Sequence, residues 1–129
     1  MLFFSSLQSF SKAPGQSNYA AGSTFLDSFA HQLALQHPYL VKVMNWGYWG
    51  SVGVVAEDRY RTRMTKAGLE SIEPEEGMDG LNSLLSSPFR QLAMFKTTSA
   101  AVREHHSETS ESITVYAALI PENLGVFEA

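Results

Sequence analysis

Two short apolar segments, separated by one long helical segment, open this chain and restrict what it can fold into. The apolar segments are Leu2–Ser5 and Leu40–Met44, and both have the composition of buried strands. Between them, Ser6–Ser17 is rich in loop residues, and a helix is expected over about residues 17–36. A strand, a helix and a second strand in this order are typical of a βαβ unit with parallel strands. The sequence therefore predicts an α/β fold.

The helix expected over residues 17–36 has an apolar stripe along one side. Phe25, Phe29 and Leu33 recur every fourth residue, and Leu26 and Ala30 widen the stripe. Residues three and four apart lie on the same face of a helix, so this spacing predicts one buried face. We therefore expect both phenylalanines to be buried.

The rest of the chain adds two shorter helices and one strand before it becomes polar. The helices are expected at Glu57–Ala67 and Glu73–Leu85, and the strand at Gln91–Lys96. The next stretch has "HHSETSES" at its centre, which is typical of a linker. One domain is therefore expected over residues 1–97, followed by a linker or tail over residues 98–129.

The charge and composition of the chain exclude several classes of protein. Nine basic residues against thirteen acidic ones give a net charge of −4, without the basic patch that nucleic-acid binding needs. The chain has no cysteine, so disulfides and thiolate metal sites are excluded. No run approaches the roughly 20 apolar residues of a membrane span. We expect a globular, cytoplasmic protein with no nucleic-acid or membrane partner.

Four stretches of the sequence, in order, resemble one protein family. They are "FFSS" at the first strand, "PGQSNYAAGSTFLDSFA" on the loop and helix, "VMNWGYWGSVG" around the end of the second strand, and "SIEPEEGM" at the last helix. Together they resemble the C-terminal half of a polyketide synthase ketoreductase domain, a branch of the short-chain dehydrogenase/reductase superfamily, and most of all the modules of bacterial trans-acyltransferase synthases. The resemblance covers roughly residues 2–97. It implies the C-terminal portion of a doubly wound parallel-sheet, Rossmann-like domain.

This resemblance implies catalytic roles for hydroxyl side chains. Ser6 matches the family's catalytic serine, and Tyr19 matches its catalytic tyrosine. Ser23 stands four residues after the tyrosine, where the family often has asparagine. The chemistry suits these residue types, because reduction of a ketone by hydride produces an alkoxide. A tyrosine hydroxyl can deliver a proton to that oxygen, while a serine hydroxyl donates a second hydrogen bond.

The same residues also have ordinary structural interpretations. A serine after a strand commonly caps a turn, and a tyrosine in the first turn of a helix commonly packs against its neighbours. Ser23 is equally suited to reach into a site and to bond the backbone carbonyl of Tyr19. Lys12 precedes Tyr19 in the loop but does not match the family's lysine, so we interpret it as a solvated charge.

Asn45, Trp46 and Gly47 begin the segment that, in the family, contacts the nicotinamide end of NADPH. A glycine in this segment permits close approach of the backbone to a carboxamide. The aromatic residues here either line a cleft or fill the core, and the sequence leaves both possibilities open. The resemblance implies that NADPH reduces a β-ketoacyl thioester carried by an acyl carrier protein.

In the family, the glycine-rich phosphate loop and the catalytic lysine lie upstream of the matching residues. This chain opens directly with the apolar run "MLFF", whereas most domains begin with polar, frayed residues. We therefore expect that the chain lacks an N-terminal part and that the upstream half of the domain is its partner. A non-enzymatic pseudo-domain, or a truncated structural fragment, is the alternative.

Two further combinations of residues suggest other chemistry only weakly. Ser6, Asp27 and His31 include the residue types of a hydrolase triad, but no G-x-S-x-G motif is present. Asp27 and His31 are four residues apart on the expected helix and can pair with each other. His105 and His106 lie in the polar stretch without matched ligands, so we interpret them as solvated.

Overall fold

The computed structural model describes residues 1–10, 15–51, 58–97 and 113–118, of which residues 58–59 and 113–118 are described by their backbone alone. No helix of these residues is both long enough and apolar enough to cross a membrane. The elements, in chain order, are β1 (Leu2–Ser6), a short 3-10 turn (Leu7–Ser9), α1 (Ser17–Gln36), β2 (Lys42–Trp46), α2 (Asp58–Lys66), β3 (Leu69–Glu70), α3 (Pro74–Ser86), β4 (Gln91–Thr97) and β5 (Ile113–Ala118).

The described strands form one mixed sheet in the order β1–β2–β4–β3, with β5 also paired to β4. β1, β2 and β4 are parallel to one another, whereas β3 and β5 run antiparallel to β4. The helix α1 connects the parallel neighbours β1 and β2, as the sequence predicts for a βαβ unit. The predicted α/β fold class is therefore confirmed, and the sheet is consistent with part of a Rossmann-like domain.

The second strand begins and ends two residues later than the sequence predicts. β2 is Lys42–Trp46, because the parallel ladder with β1 pairs Ser5 with Asn45 and Ser6 with Trp46. Asn45 and Trp46 are therefore strand residues and not loop residues. β5 lies within the segment that the sequence assigns to the linker or tail, and it pairs with β4 along six residues.

Alternate residues of β2 contact two separate layers of the fold. Val43 packs with Ala30 of α1 in one cluster of buried residues. Met44 packs with Leu84 of α3 in the other cluster, on the opposite side of the sheet. Successive side chains of a strand point to opposite faces, so β2 separates the two apolar clusters.

The buried face of α1 is not the one that the apolar spacing predicts. Phe25 and Phe29 are 72% and 47% exposed, so their expected burial is wrong for the described part of the chain. The buried positions are Ser23, Asp27 and Ala30, which are also spaced by one helical turn. On this face the Asp27 carboxylate accepts a hydrogen bond of 2.9 Å from the Asn45 amide of the second strand, and Ala30 packs with Val43. The two phenylalanine rings instead stack on each other with centroids 6.5 Å apart.

The C-terminal end of α3 is held by a buried lysine from the second strand. The ammonium of Lys42 donates to the carbonyls of Leu84 at 2.5 Å, Ser87 at 2.7 Å and Phe89 at 3.1 Å. The last carbonyls of a helix lack partners within the helix and carry its negative dipole end, so they suit a cation. Lys42 therefore fixes both α3 and the turn that leads into β4.

The N-terminal end of α3 is held by acidic residues and one ion pair. Pro74 occupies the first turn, and the backbone N–H of Glu73 donates to the Glu76 carboxylate at 2.8 Å. The Lys96 ammonium donates to the same carboxylate at 2.7 Å and holds the pKa of Glu76 below its usual value. Because that pKa is lowered on folding, the stabilisation is present at neutral pH and is lost as the pH falls through the lowered pKa.

Candidate active site

A cleft of about 620 Å³ opens at the carboxyl ends of β1 and β2. Ligands bind at this edge in open α/β sheets, because the strand ends and the loops that follow them converge there. Its walls combine hydroxyl, amide and aromatic side chains with a few aliphatic ones. The described residues that line it are Phe4, Ser5, Ser6, Leu7, Gln8, Gln16, Tyr19, Trp46, Gly47, Tyr48, Trp49, Tyr60, Met64 and Leu69.

Ser6 is the last residue of β1 and lines this cleft. Its backbone is extended, and its hydroxyl oxygen accepts a hydrogen bond of 3.2 Å from the backbone N–H of Gln8. The serine therefore caps the short turn after the strand, as the structural interpretation predicts. Its position on the wall of the cleft is also the one that the catalytic interpretation needs, so the two interpretations are compatible.

Tyr19 lies in the first turn of α1 and lines the same cleft as Ser6. The side chain is 59% exposed, so it does not serve as core packing in the described part of the chain. Its backbone N–H donates to the side-chain oxygen of Asn18 at 2.9 Å. The structure thus brings the two hydroxyl groups singled out in the sequence to one cavity, although they are thirteen residues apart.

Ser23 lies one turn further along α1, outside the wall of the main cleft. It is buried and lines an adjoining pocket of about 380 Å³ that also includes Tyr19 and Ser5. Its backbone carbonyl accepts a hydrogen bond of 3.4 Å from the Ser5 hydroxyl, which ties α1 to β1. A catalytic role for Ser23 therefore stays a prediction, and it would act beside Tyr19 and not across from Ser6.

Trp46 and Gly47 reach the cleft, where the sequence places the nicotinamide contacts. The Trp46 ring meets the rings of Phe4 and Trp49 edge-on, with centroids 6.0 Å and 5.1 Å apart. The N–H of Gly47 is already occupied, because it donates to the carbonyl of Met94 at 2.8 Å. The glycine is needed for this close approach to β4, which the sequence does not reveal, and its N–H does not face a ligand.

Asn45 does not line the cleft. Its side chain is fully buried on the α1 side of the sheet, and it bonds to groups of β1, α1 and β4. A contact between Asn45 and a cofactor stays a prediction, and its side chain is committed elsewhere. In the described part of the chain, Asp27 and His31 do not pair with each other as the sequence suggested: Asp27 bonds to Asn45, and His31 bonds to Gln91.

No individual residue of the far wall of the cleft was singled out in the sequence. Tyr60 and Met64 of α2 and Leu69 of β3 form this wall. Tyr60 and Met64 are four residues apart on an otherwise charged helix, so their spacing was an available signal for an inward face. Lys12 and His105–His106 lie outside the described residues.

The lining of the cleft suits one end of a nicotinamide dinucleotide better than the other. Aromatic rings and hydroxyl groups match a flat, uncharged ring that carries a carboxamide. No lysine or arginine is among the described lining residues, so none of them neutralises a phosphate there. The residues present therefore fit the nicotinamide end, and the phosphates need partners outside this cleft.

Gly47 lies so close to β4 that a larger residue at this position is expected to destabilise the chain. A Cβ atom at this position would lie 2.8 Å from the Met94 carbonyl oxygen, so Gly47→Ala should destabilise the chain by about 1–3 kcal/mol. Gly22 is the matched control, since an added Cβ meets nothing within 4 Å there. Gly22→Ala, in a helix, should stabilise the chain by about 0.5–1 kcal/mol. Urea unfolding of the two variants measures both, and equal effects would contradict the prediction.

The architecture and the cleft together define a class of protein domain. A parallel core sheet, covered by helices and carrying hydroxyl side chains at its carboxyl edge, is the arrangement of a Rossmann-like α/β domain. Residues 1–51 match the model of the KR domain family. The matched residues include β1, α1, β2, Ser6 and Tyr19, and the predicted resemblance is confirmed.

Similarity to polyketide synthases extends over most of the chain. The chain is 50% identical over 116 residues, 90% of its length, to polyketide synthase PksN of Bacillus subtilis. It is 51% identical over 94 residues, 73% of its length, to polyketide synthase ThaG of Burkholderia thailandensis. It is 46% identical over 116 residues, again 90%, to polyketide synthase PksM of Bacillus subtilis. The chain spans only 2–3% of the length of these relatives, and no solved structure matches it.

Proposed function

We propose that this chain supplies the substrate-side half of a ketoreductase that reduces a β-ketoacyl thioester, bound to an acyl carrier protein, with NADPH. The observation that carries the proposal is the convergence of Ser6 and Tyr19 on one cleft at the carboxyl edge of a parallel sheet. The match of residues 1–51 to the model of the KR domain family supports the same reaction class.

In this proposal four side chains of the cleft have separate roles in the reaction. NADPH, when bound, supplies the hydride. Tyr19 donates its phenolic proton to the substrate oxygen as negative charge develops there, and its exposed position in the cleft leaves the hydroxyl accessible. Ser6 donates a hydrogen bond to the same oxygen and fixes the carbonyl. The rings of Phe4 and Trp46 form an apolar wall that excludes water from the reacting groups.

We further propose that residues 1–97 form this part of the ketoreductase domain and that residues 98–129 are a linker or tail, of which β5 pairs with β4. The phosphates of the cofactor, and a cation beside Tyr19, would come from the upstream half of the domain. Two observations support this division. The 129 residues contain no G-x-G-x-x-G loop, and no basic side chain is among the described lining residues of the cleft.

The second candidate function is a pseudo-domain with the family's shape and no turnover. The same observation favours it, because none of the described residues that line the cleft is a cation that could stabilise the phenolate left when Tyr19 gives up its proton. The two candidates differ in one respect: a ketoreductase half becomes active when the phosphate-binding half is supplied, whereas a pseudo-domain does not.

A transplantation experiment separates the two candidates. The 116 residues of PksN that match this chain are replaced by the corresponding residues of this chain, and reduction of a β-keto thioester is followed by oxidation of NADPH. Turnover within about tenfold of the parent supports the ketoreductase proposal. An active parent and a folded, inactive chimera would favour the pseudo-domain. The complete polypeptide that carries these 129 residues is assayed in parallel, with NADH in place of NADPH to test cofactor preference.

Loss of the Ser6 hydroxyl should slow this reaction without stopping it. Ser6→Ala in the active polypeptide is expected to lower kcat by about 10²–10³, the usual effect of removing one donor to a developing oxyanion. Ser5 is a matched control, because it is the preceding serine and its hydroxyl donates to the Ser23 carbonyl of α1. Ser5→Ala should change kcat by less than about tenfold. A larger loss in the Ser5 variant would transfer the catalytic role to that residue.

A further inference from the structure

A buried chain of polar side chains runs beneath the cleft, and Asn45 of β2 is its centre. Asn45 is 0% exposed, and its amide nitrogen donates to the Ser6 carbonyl at 3.1 Å and to the Asp27 carboxylate at 2.9 Å. A longer contact of 3.5 Å joins the same nitrogen to the Ser9 hydroxyl. The Asn45 amide oxygen accepts from the Gln91 side chain at 2.7 Å. One side chain thus links β1, α1, β2 and β4.

The surroundings of Asn45 allow its amide only one orientation. The two nearest groups that face its nitrogen, the Ser6 carbonyl and the Asp27 carboxylate, are hydrogen-bond acceptors, and the Ser9 hydroxyl at 3.5 Å can accept as well. Gln91 presents its nitrogen to Asn45, and its own oxygen lies 2.6 Å from the His31 ring. A reversed Asn45 amide would place its oxygen against two acceptors in a buried site, where unpaired polar groups are strongly unfavourable.

We propose that Asn45 is a positioning residue that sets Ser6 and Tyr19 relative to each other, an inference that rests on the proposed function. The carbonyl that Asn45 holds belongs to Ser6 itself, at the point where β1 becomes a turn. Holding this carbonyl fixes the orientation of the peptide between Ser6 and Leu7, and therefore the turn that follows. Within this turn, the backbone N–H of Gln8 donates to the Ser6 hydroxyl.

The second bond from the Asn45 nitrogen controls the other catalytic element. Asp27 lies eight residues after Tyr19 on α1, about 12 Å along the helix axis. Through Asp27, Asn45 fixes how the helix that begins near Tyr19 sits on the strand that ends at Ser6. A displacement of about 1 Å in such a pair lowers turnover by about 10². The predicted contact with a cofactor is not needed to explain an asparagine here.

An exchange of the two partners separates positioning from simple support of the fold. Asn45→Asp alone places two carboxylates together and should strongly destabilise the chain. Adding Asp27→Asn restores a donor–acceptor pair, because the new amide at position 27 can donate to the new carboxylate at position 45. That carboxylate can also accept the hydrogen bond from the Gln91 side chain. The combined variant, however, leaves the Ser6 carbonyl without its donor. We expect the exchange to recover most of the stability but to leave kcat about 10–10² below the unsubstituted protein, with KM changed less than about threefold.

Hydrogen exchange at the Gln8 amide gives a readout that is independent of activity. In the full 129-residue chain, the combined Asn45→Asp and Asp27→Asn variant should lose about tenfold of the protection of this amide, which bonds the Ser6 hydroxyl. Lys42→Met is the matched control. Lys42 is buried in the same strand, but its ammonium donates to carbonyls of α3 and of the turn that follows α3. It should reduce stability without altering Gln8 protection relative to global unfolding.

The outcomes distinguish this inference from the proposed function. Recovery of stability, kcat and Gln8 protection together in the combined variant would show that Asn45 only supports the fold, and would overturn the inference. Loss of Gln8 protection with recovered stability supports it. If the unsubstituted protein reduces no β-keto thioester, the proposed function fails, while Gln8 protection still decides whether Asn45 holds Ser6. A combined variant that does not fold is replaced by Gln91→Glu, which disturbs the Asn45 orientation from the other side and should give the same loss at Gln8.

Discussion

Tyr19→Phe is expected to lower the rate of ketone reduction by about 10²–10⁴-fold while leaving the fold intact, because the variant lacks the proposed proton donor. The change removes one hydroxyl from a side chain that is already exposed in the cleft, so no buried hydrogen bond is lost. The loss should appear in kcat, since proton delivery occurs in the transition state. Turnover of a β-keto thioester with NADPH, in the complete polypeptide or in the PksN chimera, measures it.

The control for this experiment is another exposed tyrosine of the same chain. Tyr39 lies in the connection after α1, stacks on His37 with centroids 5.0 Å apart, and is not among the residues that line the cleft. Tyr39→Phe should leave kcat and KM unchanged. Near-normal turnover in the Tyr19 variant would remove this residue from the role of proton donor, and the cleft would then need a different acid.

Replacement of Lys42 by methionine is expected to give a large loss of stability, about 1–3 kcal/mol, although Lys42 does not line the cleft. Methionine keeps much of the apolar stem but removes the ammonium that serves the carbonyls of Leu84, Ser87 and Phe89. Those acceptors close α3 and the turn before β4, where water does not replace a buried donor freely. Urea unfolding of the 129-residue chain measures the free energy change.

An exposed lysine provides the comparison for this loss. Lys66 ends α2 and is exposed, so Lys66→Met removes the same charge with little change in burial. Substitutions of this kind usually change stability by about 0.5 kcal/mol or less. Similar losses in the two variants would mean that net charge, and not the contacts of Lys42, accounts for the effect.

The core of the fold could be predicted from the sequence because it rests on local patterns. The βαβ unit follows from two apolar runs and one helical stretch, and α1 ends where the sequence predicts, just before Pro38. The rotation of α1 could not be predicted in the same way. Hydrophobic spacing favours the side with Phe25 and Phe29, whereas the buried side carries Asp27, whose hydrogen bond to the distant Asn45 is not visible in the spacing of apolar residues.

The candidate site was predictable only in part. The resemblance to ketoreductases singled out Ser6 and Tyr19, and the structure places both on one cleft. Gln91 gave no signal, because a glutamine at the start of a strand reveals its role only once the residues opposite it are known. Gly47 lines the cleft, and its contact with a cofactor stays a prediction, but its close approach to β4 joins segments almost fifty residues apart and could not be read from the sequence.

The alternation of side chains along β2 has a consequence for how this segment can vary among related proteins. Asn45 and Trp46 are adjacent in sequence but serve opposite faces, one beneath the cleft and the other on its wall. Deleting or inserting one residue between Val41 and Asn45 would exchange these faces, placing an indole against α1 and an amide in the cleft. Evolution can therefore replace individual side chains here while keeping their number constant. In an alignment of relatives, we expect substitutions in this stretch but no gaps.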